Sequence, residues 1–126
     1  MLRRNYYFLH SKRAKPLEYF TEKLLLIIGS FMKVALIGYG YWGKNIARNF
    51  SLSSDFKLHT ICDLSLDNLN LAKKMFPSVN ITDDYTTISD EVDVVAPIVP
   101  VGQHFFFANY FLDRGKHVLL TKPFTK

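Results

Sequence analysis

The stretch MKVALIGYGYWG, residues 32–43, decides the fold. Its apolar VALI run predicts a buried β-strand that ends at Ile37, and a polar, helix-compatible segment follows. Between strand and helix lie Gly38, Gly40 and Gly43 in the pattern G-x-G-x-x-G, which is informative in that context. Gly38 permits a tight turn, Gly40 leaves room for a pyrophosphate, and Gly43 lets the helix pack closely on the sheet. The pattern therefore predicts a dinucleotide site at the helix N-terminus.

Length and charge indicate one small domain without a nucleic-acid partner. The chain has 126 residues, enough for one modest domain and too few for two. Its net charge of +5 comes mainly from residues 1–31, where six Lys/Arg face two Asp/Glu, whereas residues 32–126 carry ten against nine. The domain itself is therefore close to neutral.

Cys62 is the only cysteine of the chain and lies in an apolar run. A single cysteine excludes an intrachain disulfide and a cysteine metal cluster, so we expect a buried, inert thiol and no metal site. This cysteine usage fits a reducing cytoplasm. No run of about 18 apolar residues occurs, so we expect no membrane-spanning helix and no membrane partner.

Residues 1–31 are basic and aromatic at first and become apolar at residues 24–28. An export signal is one interpretation, but the apolar run is short and lies far from the N-terminus. Contact of the basic and aromatic side chains with RNA or an acidic membrane surface is a second. We favour a third, in which residues 1–31 are an upstream extension and Met32 is the natural start of the fold.

From Met32 onward, strand and helix patterns alternate with short links. Beyond the strand that ends at Ile37, the pattern predicts strands over residues 56–62, 79–81, 92–99 and 117–120. It predicts helices over residues 42–50, 66–76 and 103–114, with a short helical turn through Ile88. Mostly apolar strands are typical of a parallel sheet covered on both faces. We therefore predict an α/β fold, a doubly wound parallel sheet of Rossmann type truncated after about the fifth strand.

Asp63 is the second anchor of the predicted site. It ends the second strand, 20 residues after Gly43, where a carboxylate accepts hydrogen bonds from the adenosine ribose. A 2′-phosphate would be repelled there, and no Arg follows closely, so we expect NAD rather than NADP. The alternative is a loop Asp that caps the next helix, near Ser65 and Asp67.

Several further motifs carry a resemblance to a known family. MKVALIGYGYWGKN, ICD, DDY, VPVGQH and RGKHVLLTKP occur in this order within residues 32–126. Together they resemble the Gfo/Idh/MocA family of nicotinamide-dependent oxidoreductases. The resemblance implies a Rossmann domain followed by a larger α/β substrate domain, and hydride transfer to or from a carbinol carbon of a sugar, inositol or nucleotide-sugar. The Gly-Tyr-Trp-Gly turn is similar to members that are 3-dehydrogenases of UDP-N-acetylhexosamine derivatives.

The resemblance also implies site residues. The E-K-P motif of the family falls on residues 121–123, which makes Lys122 the catalytic residue that hydrogen-bonds the reacting hydroxyl. Without the resemblance, we would interpret Lys122 as a solvated residue near the end of the chain. The family's T-P-x-x-x-H falls on Val99, Pro100 and His104, beside the nicotinamide riboside, although a lone His at a helix start is more often a cap or packing residue. The predicted cofactor-binding set is Gly38, Tyr39, Gly40, Tyr41, Trp42, Gly43, Asp63, Val99, Pro100, His104 and Lys122.

The chain departs from the family pattern in three places. Thr121 replaces the Glu of E-K-P, Val99 replaces the Thr of T-P, and Pro97 lies inside a predicted central strand, where proline is normally excluded. The family's substrate domain is also missing from the chain. We therefore expect dinucleotide binding without turnover, a sugar-type substrate only with the missing domain, and a homo-oligomer through the exposed sheet edge. The alternative is a non-catalytic nucleotide-binding or interaction module.

Overall fold

Apolar strands separated by helices form a six-stranded sheet in the computed structural model, which describes residues 6–9 and 31–121. The strands are β1 (Tyr6–Leu9), β2 (Met32–Ile37), β3 (Phe56–Cys62), β4 (Asn80–Thr82), β5 (Val94–Pro97) and β6 (His117–Thr121). The helices are α1 (Tyr41–Leu52), α2 (Leu66–Met75) and α3 (His104–Asp113), with short 3₁₀ turns at Tyr85–Thr87 and Val101–Gln103. Within the described residues, no helix is both long and apolar enough to cross a membrane.

The strand order across the sheet is β1-β6-β5-β2-β3-β4. Strands β2 to β6 are parallel, and the chain runs from β2 outward through β3 to β4 before it returns to β5 on the other side of β2. This order confirms the predicted Rossmann fold with five parallel strands. The direction of winding reverses between β2 and β5, and that reversal positions the site described below.

The sheet is buried on both faces. On one face, Leu36 of β2 packs in the same cluster as Phe50 of α1, and both are fully buried. On the opposite face, Ala35 shares a cluster with Phe107 and Phe111 of α3. Full burial of a side chain such as Phe50 contributes about 1.5–3 kcal/mol to folding. Because neighbouring residues of β2 face two different apolar layers, the strand is apolar at every position from Val34 to Ile37 rather than at alternate positions.

Strand β5 is shorter than the predicted 92–99, and Pro97 is its last residue. Pro97 pairs with Ile37. On the other side of β5, pairing with β6 stops at Val95, so the missing N–H of Pro97 leaves no gap in that ladder. The next N–H, of Ile98, donates to the Ile37 carbonyl at 2.7 Å. The proline is therefore accommodated at a strand end.

Strand β1 is not predicted by the sequence pattern. Its four residues pair antiparallel with β6, from Tyr6 opposite Thr121 to Leu9 opposite Val118. Part of the predicted N-terminal extension thus lies in the sheet, beside β6. Among the described residues, the outer strands of the sheet are β1 and the three-residue β4.

The substitutions Tyr7→Pro and Phe8→Pro test this pairing. Alternate residues of an antiparallel strand direct their N–H groups at the neighbouring strand, and proline has no N–H. We expect one of the two variants to lose about 1 kcal/mol more unfolding free energy than the other, because it removes a ladder hydrogen bond. Chemical denaturation measures the difference. Equal losses in both variants would contradict a paired strand.

Candidate functional site

The glycine turn lies at the carboxyl end of β2, between β3 and β5. The N–H of Gly38 donates to the carbonyl of Cys62 at the end of β3, at 2.7 Å. On the other side, Ile98 follows β5 and donates to the carbonyl of Ile37. The turn therefore occupies the position where the winding of the sheet reverses. In open α/β sheets, ligands bind at this edge beside such a reversal.

Each glycine of the turn meets a different steric requirement. Gly38 has a φ of +100°, and a Cβ there would lie 2.3 Å from the carbonyl oxygen of Ile98. A Cβ on Gly43 would lie 2.1 Å from the carbonyl oxygen of Gly38, so α1 can approach the turn only without one. At Gly40 a Cβ would meet nothing within 4 Å. The first and third glycines thus serve the packing of the fold, whereas the second borders open space.

Helix α1 begins at this open space, and no side chain among the described residues caps its N-terminus. Its first turn contains no acidic residue either. Helix α2 differs, because the Oγ of Ser65 accepts a hydrogen bond from the N–H of Asn68 and Asp67 lies in the first turn. The first N–H groups of a helix have no partner within the helix, and its N-terminus carries a partial positive charge. The start of α1 is therefore suited to an anion.

The three aromatic residues of the turn lie in different surroundings. The Tyr39 side chain is 3% exposed and belongs to the core, and its burial raises the pKa of the phenol. Tyr41 and Trp42 are 74% and 52% exposed, and their rings contact edge to face at 5.1 Å between centroids. Of the predicted cofactor contacts, Tyr39 can therefore contribute its main chain only, whereas Tyr41 and Trp42 present side chains.

Asp63 follows β3, and its carboxylate joins the glycine turn to the start of α2. Oδ2 accepts a hydrogen bond from the N–H of Tyr39 at 2.7 Å, and Oδ1 accepts one from the N–H of Ser65 at 2.7 Å. The side-chain Nδ2 of Asn68 also donates to Oδ2, at 3.3 Å. The contact with Ser65 is the one expected under the alternative interpretation, in which Asp63 caps the start of α2. The contact with Tyr39 places the same carboxylate against the predicted dinucleotide turn.

Val99, Pro100 and His104 lie after β5, at the same edge of the sheet. The Nε2 of His104 is 2.9 Å from the carbonyl oxygen of Val99. A carbonyl only accepts hydrogen bonds, so Nε2 carries the proton in this contact. His104 is the first residue of α3, and the contact closes the link between β5 and the helix. His104 thus has a hydrogen-bond partner within the protein. The role of His104 towards a cofactor stays a prediction.

Lys122 lies outside the described residues, so the structure does not report on its catalytic assignment. Strand β6 ends at Thr121 and is parallel to β5, so it ends at the same edge as the glycine turn. Cys62, also at this edge, is 4% exposed, and burial raises the pKa of its thiol to about 11. The predicted buried thiol is confirmed.

Asn68 is the residue at this site that the sequence pattern did not single out. The available signal was its place three residues after Ser65, the position whose side chain commonly takes part in helix capping.

The substitution Gly43→Ala tests the close approach of α1. Its Cβ would lie 2.1 Å from a main-chain oxygen, which cannot move without displacing the turn. We expect the free energy of unfolding to fall by about 2–3 kcal/mol. The matched control is Gly102→Ala, which adds the same methyl group where nothing lies within 4 Å. Thermal denaturation of both variants decides the point, and equal stabilities would contradict the contact.

Comparison with known proteins agrees with this geometry. The Gfo/Idh/MocA profile, described as an oxidoreductase family with an NAD-binding Rossmann fold, matches residues 32–126. The chain is 29% identical over 99 residues to a UDP-N-acetylglucosamine 3-dehydrogenase from Acidithiobacillus ferrooxidans, a match that covers 75% of this chain and 29% of that protein.

Solved structures show the same partial coverage. A scyllo-inositol dehydrogenase from Lactobacillus casei with bound NAD(H) and scyllo-inositol matches with a TM-score of 0.65 and 27% identity, over 71% of this chain and 27% of that one. A 3-ketoreductase from Actinomadura kijaniata in complex with NADP and TDP-benzene shares the fold, with a TM-score of 0.67 at 20% identity, over 72% and 29%. The chain thus spans 27–29% of the length of these relatives.

Proposed function

This chain belongs to the Gfo/Idh/MocA family of oxidoreductases, and we propose that its glycine turn binds NAD for hydride transfer at a carbinol carbon. The substrate class would be a sugar, an inositol or a nucleotide-linked sugar, as in the relatives named above. One observation carries the proposal: the open space at Gly40 lies beside the uncapped start of α1, at the reversal of the sheet.

The residues present fit the pyrophosphate of a dinucleotide. Gly40 carries no side chain into the open space, and the main-chain N–H groups at the start of α1 would hold the anion. An anion at a helix N-terminus is stabilised by about 0.3–1 kcal/mol when exposed and by about 2 kcal/mol when partly buried. Tyr41 and Trp42 would flank it from the solvent side, since both side chains are exposed.

Asp63 supports NAD as the preferred dinucleotide. Its carboxylate lies against the turn through the N–H of Tyr39, so the ribose hydroxyls of a bound NAD would meet an acceptor. A 2′-phosphate carries about −1.5 to −2 charges at neutral pH and would be repelled by the same carboxylate. Of the two solved structures named above, one contains NAD(H) and the other NADP, so the fold alone does not select the cofactor.

For the chemical step we propose that Lys122 hydrogen-bonds the substrate hydroxyl and helps to move its proton. The nicotinamide ring, when bound, supplies the hydride acceptor or donor. Val99, Pro100 and His104 would border that ring, since they follow β5 at the site edge. The described residues would form the dinucleotide-binding side of the active site. The property to measure on this chain is therefore cofactor binding rather than turnover.

The substitution Gly40→Ala tests the pyrophosphate site. Its Cβ meets no described atom within 4 Å, and Gly40 has an ordinary φ of −79°, so we expect only the small loss of stability, below about 1 kcal/mol, that Ala causes at a helix N-cap. The methyl group would occupy the space proposed for the anion, so we expect NAD affinity to fall by about tenfold or more, or at least 1.4 kcal/mol. Titration calorimetry with the full chain measures this, with Ser54→Ala as control, because Ser54 is exposed in the loop before β3, at the opposite edge of the sheet. Folded wild-type protein that binds neither NAD nor NADP would refute the proposed function.

The substitution Asp63→Asn tests cofactor preference. The amide keeps the shape of the side chain but removes its charge and one of its two accepting oxygens, so we expect the ratio of NAD to NADP affinity to fall by about tenfold, with some loss of stability from the broken contact. Asp67→Asn is the matched control, because it removes an exposed carboxylate from the first turn of α2, four residues after Asp63. An unchanged ratio in Asp63→Asn would show that this carboxylate does not select the cofactor.

A further inference from the structure

Asn68 is held in place by its main chain while its side chain reaches the candidate site. It is the third residue of α2, and its N–H donates to the Oγ of Ser65 at 3.2 Å. Its side-chain Nδ2 donates to Oδ2 of Asp63 at 3.3 Å. The residue is half-buried, so its side chain has restricted freedom. Asn68 therefore contacts the capping residue through its main chain and the site carboxylate through its side chain.

The usual capping arrangement is altered here. In a capping box, the side chain at the position of Asn68 returns to the N–H of the capping residue. In this chain, Oδ1 of Asp63 accepts from that N–H, on Ser65, at 2.7 Å. Asp63 thus takes over the second half of the cap, and the Asn68 amide is directed at Asp63 instead. Donors from the start of α2 therefore contact both oxygens of the Asp63 carboxylate: Ser65 at Oδ1 and Asn68 at Oδ2.

The number of acceptor positions on Asp63 gives this arrangement a consequence. A carboxylate offers about four lone-pair positions on its two oxygens. Among the described residues, three donors occupy them: the N–H groups of Tyr39 and Ser65 and the Nδ2 of Asn68. Two of these donors lie on Oδ2 and one on Oδ1, so a single position remains, on Oδ1. Asn68 is the only one of the three that donates from a side chain.

We propose that Asn68 is a positioning residue that orients the remaining acceptor position of Asp63 towards the ribose of the dinucleotide. The proposal rests on the function proposed above, in which Asp63 accepts from that ribose. Asn68 acts through Asp63: it fixes the plane of the carboxylate and thereby sets both NAD affinity and the discrimination against a 2′-phosphate.

The test is a double-mutant cycle of Asn68→Ala and Asp63→Ala, titrated with NAD and NADP on the full chain. We expect Asn68→Ala to weaken NAD binding by about fivefold, the effect of one lost hydrogen bond, and to lower the ratio of NAD to NADP affinity. In the Asp63→Ala background, the same substitution should have no further effect, because the group it positions is gone. Asn70→Ala is the matched control, since it removes an exposed amide from the same helix.

The outcomes separate this proposal from the function on which it rests. Wild-type affinity in Asn68→Ala, or an equal loss in both backgrounds, overturns the positioning role. Absence of NAD binding by the wild type, or no effect of Asp63→Ala, overturns the ribose contact itself. A purely structural role would lower NAD and NADP affinity alike and leave their ratio unchanged, which also overturns the proposal. Asn68→Ser, with a shorter side chain suited to a first helical turn, repeats the test independently.

Discussion

The close approach of α1 to the end of β2 is the contact on which the rest of the structure depends. Gly43 packs directly on the carbonyl of Gly38, and Gly38 packs on the carbonyl of Ile98. Three parallel strands therefore meet one helix at a single turn, with no side chain between them. Since the same turn borders the open space at Gly40, the packing of the sheet and the shape of the candidate site have one cause. A change in the packing at Gly38 or Gly43 would therefore also change the shape of the site.

Much of the fold could be predicted from the sequence, because its main signals are local. The apolar strand at Met32–Ile37 and the helix after it follow from composition and spacing, and β3 and β6 begin at the predicted residues. The extent of β5 could not be predicted from apolar content alone. Pro97 is tolerated there because the pairing of β5 with β6 reaches only Val95, and that register is a property of the folded sheet.

The same distinction applies to the site. The requirements at Gly38 and Gly43 are steric and belong to the turn itself, so the glycine spacing is sufficient to predict them. The contacts of Asp63 are different, because its donors come from the turn, from a loop and from a helix that meet only after folding. Spacing predicted that a carboxylate stands at the edge of the site. It could not show that Tyr39 and Asn68 hold that carboxylate.

The pairing of β1 with β6 has a consequence for how the chain assembles. Leu9 and Val118 are partners across the sheet although more than 100 residues separate them in the sequence. Contacts between residues so distant close slowly, because loop entropy is lost before the strands gain hydrogen bonds. The parallel strands β2 and β3, joined through α1, form a far more local unit. During synthesis, β1 leaves the ribosome before β6, and the two are more than 100 residues apart. Among the described strands, β1 is thus among the last to pair.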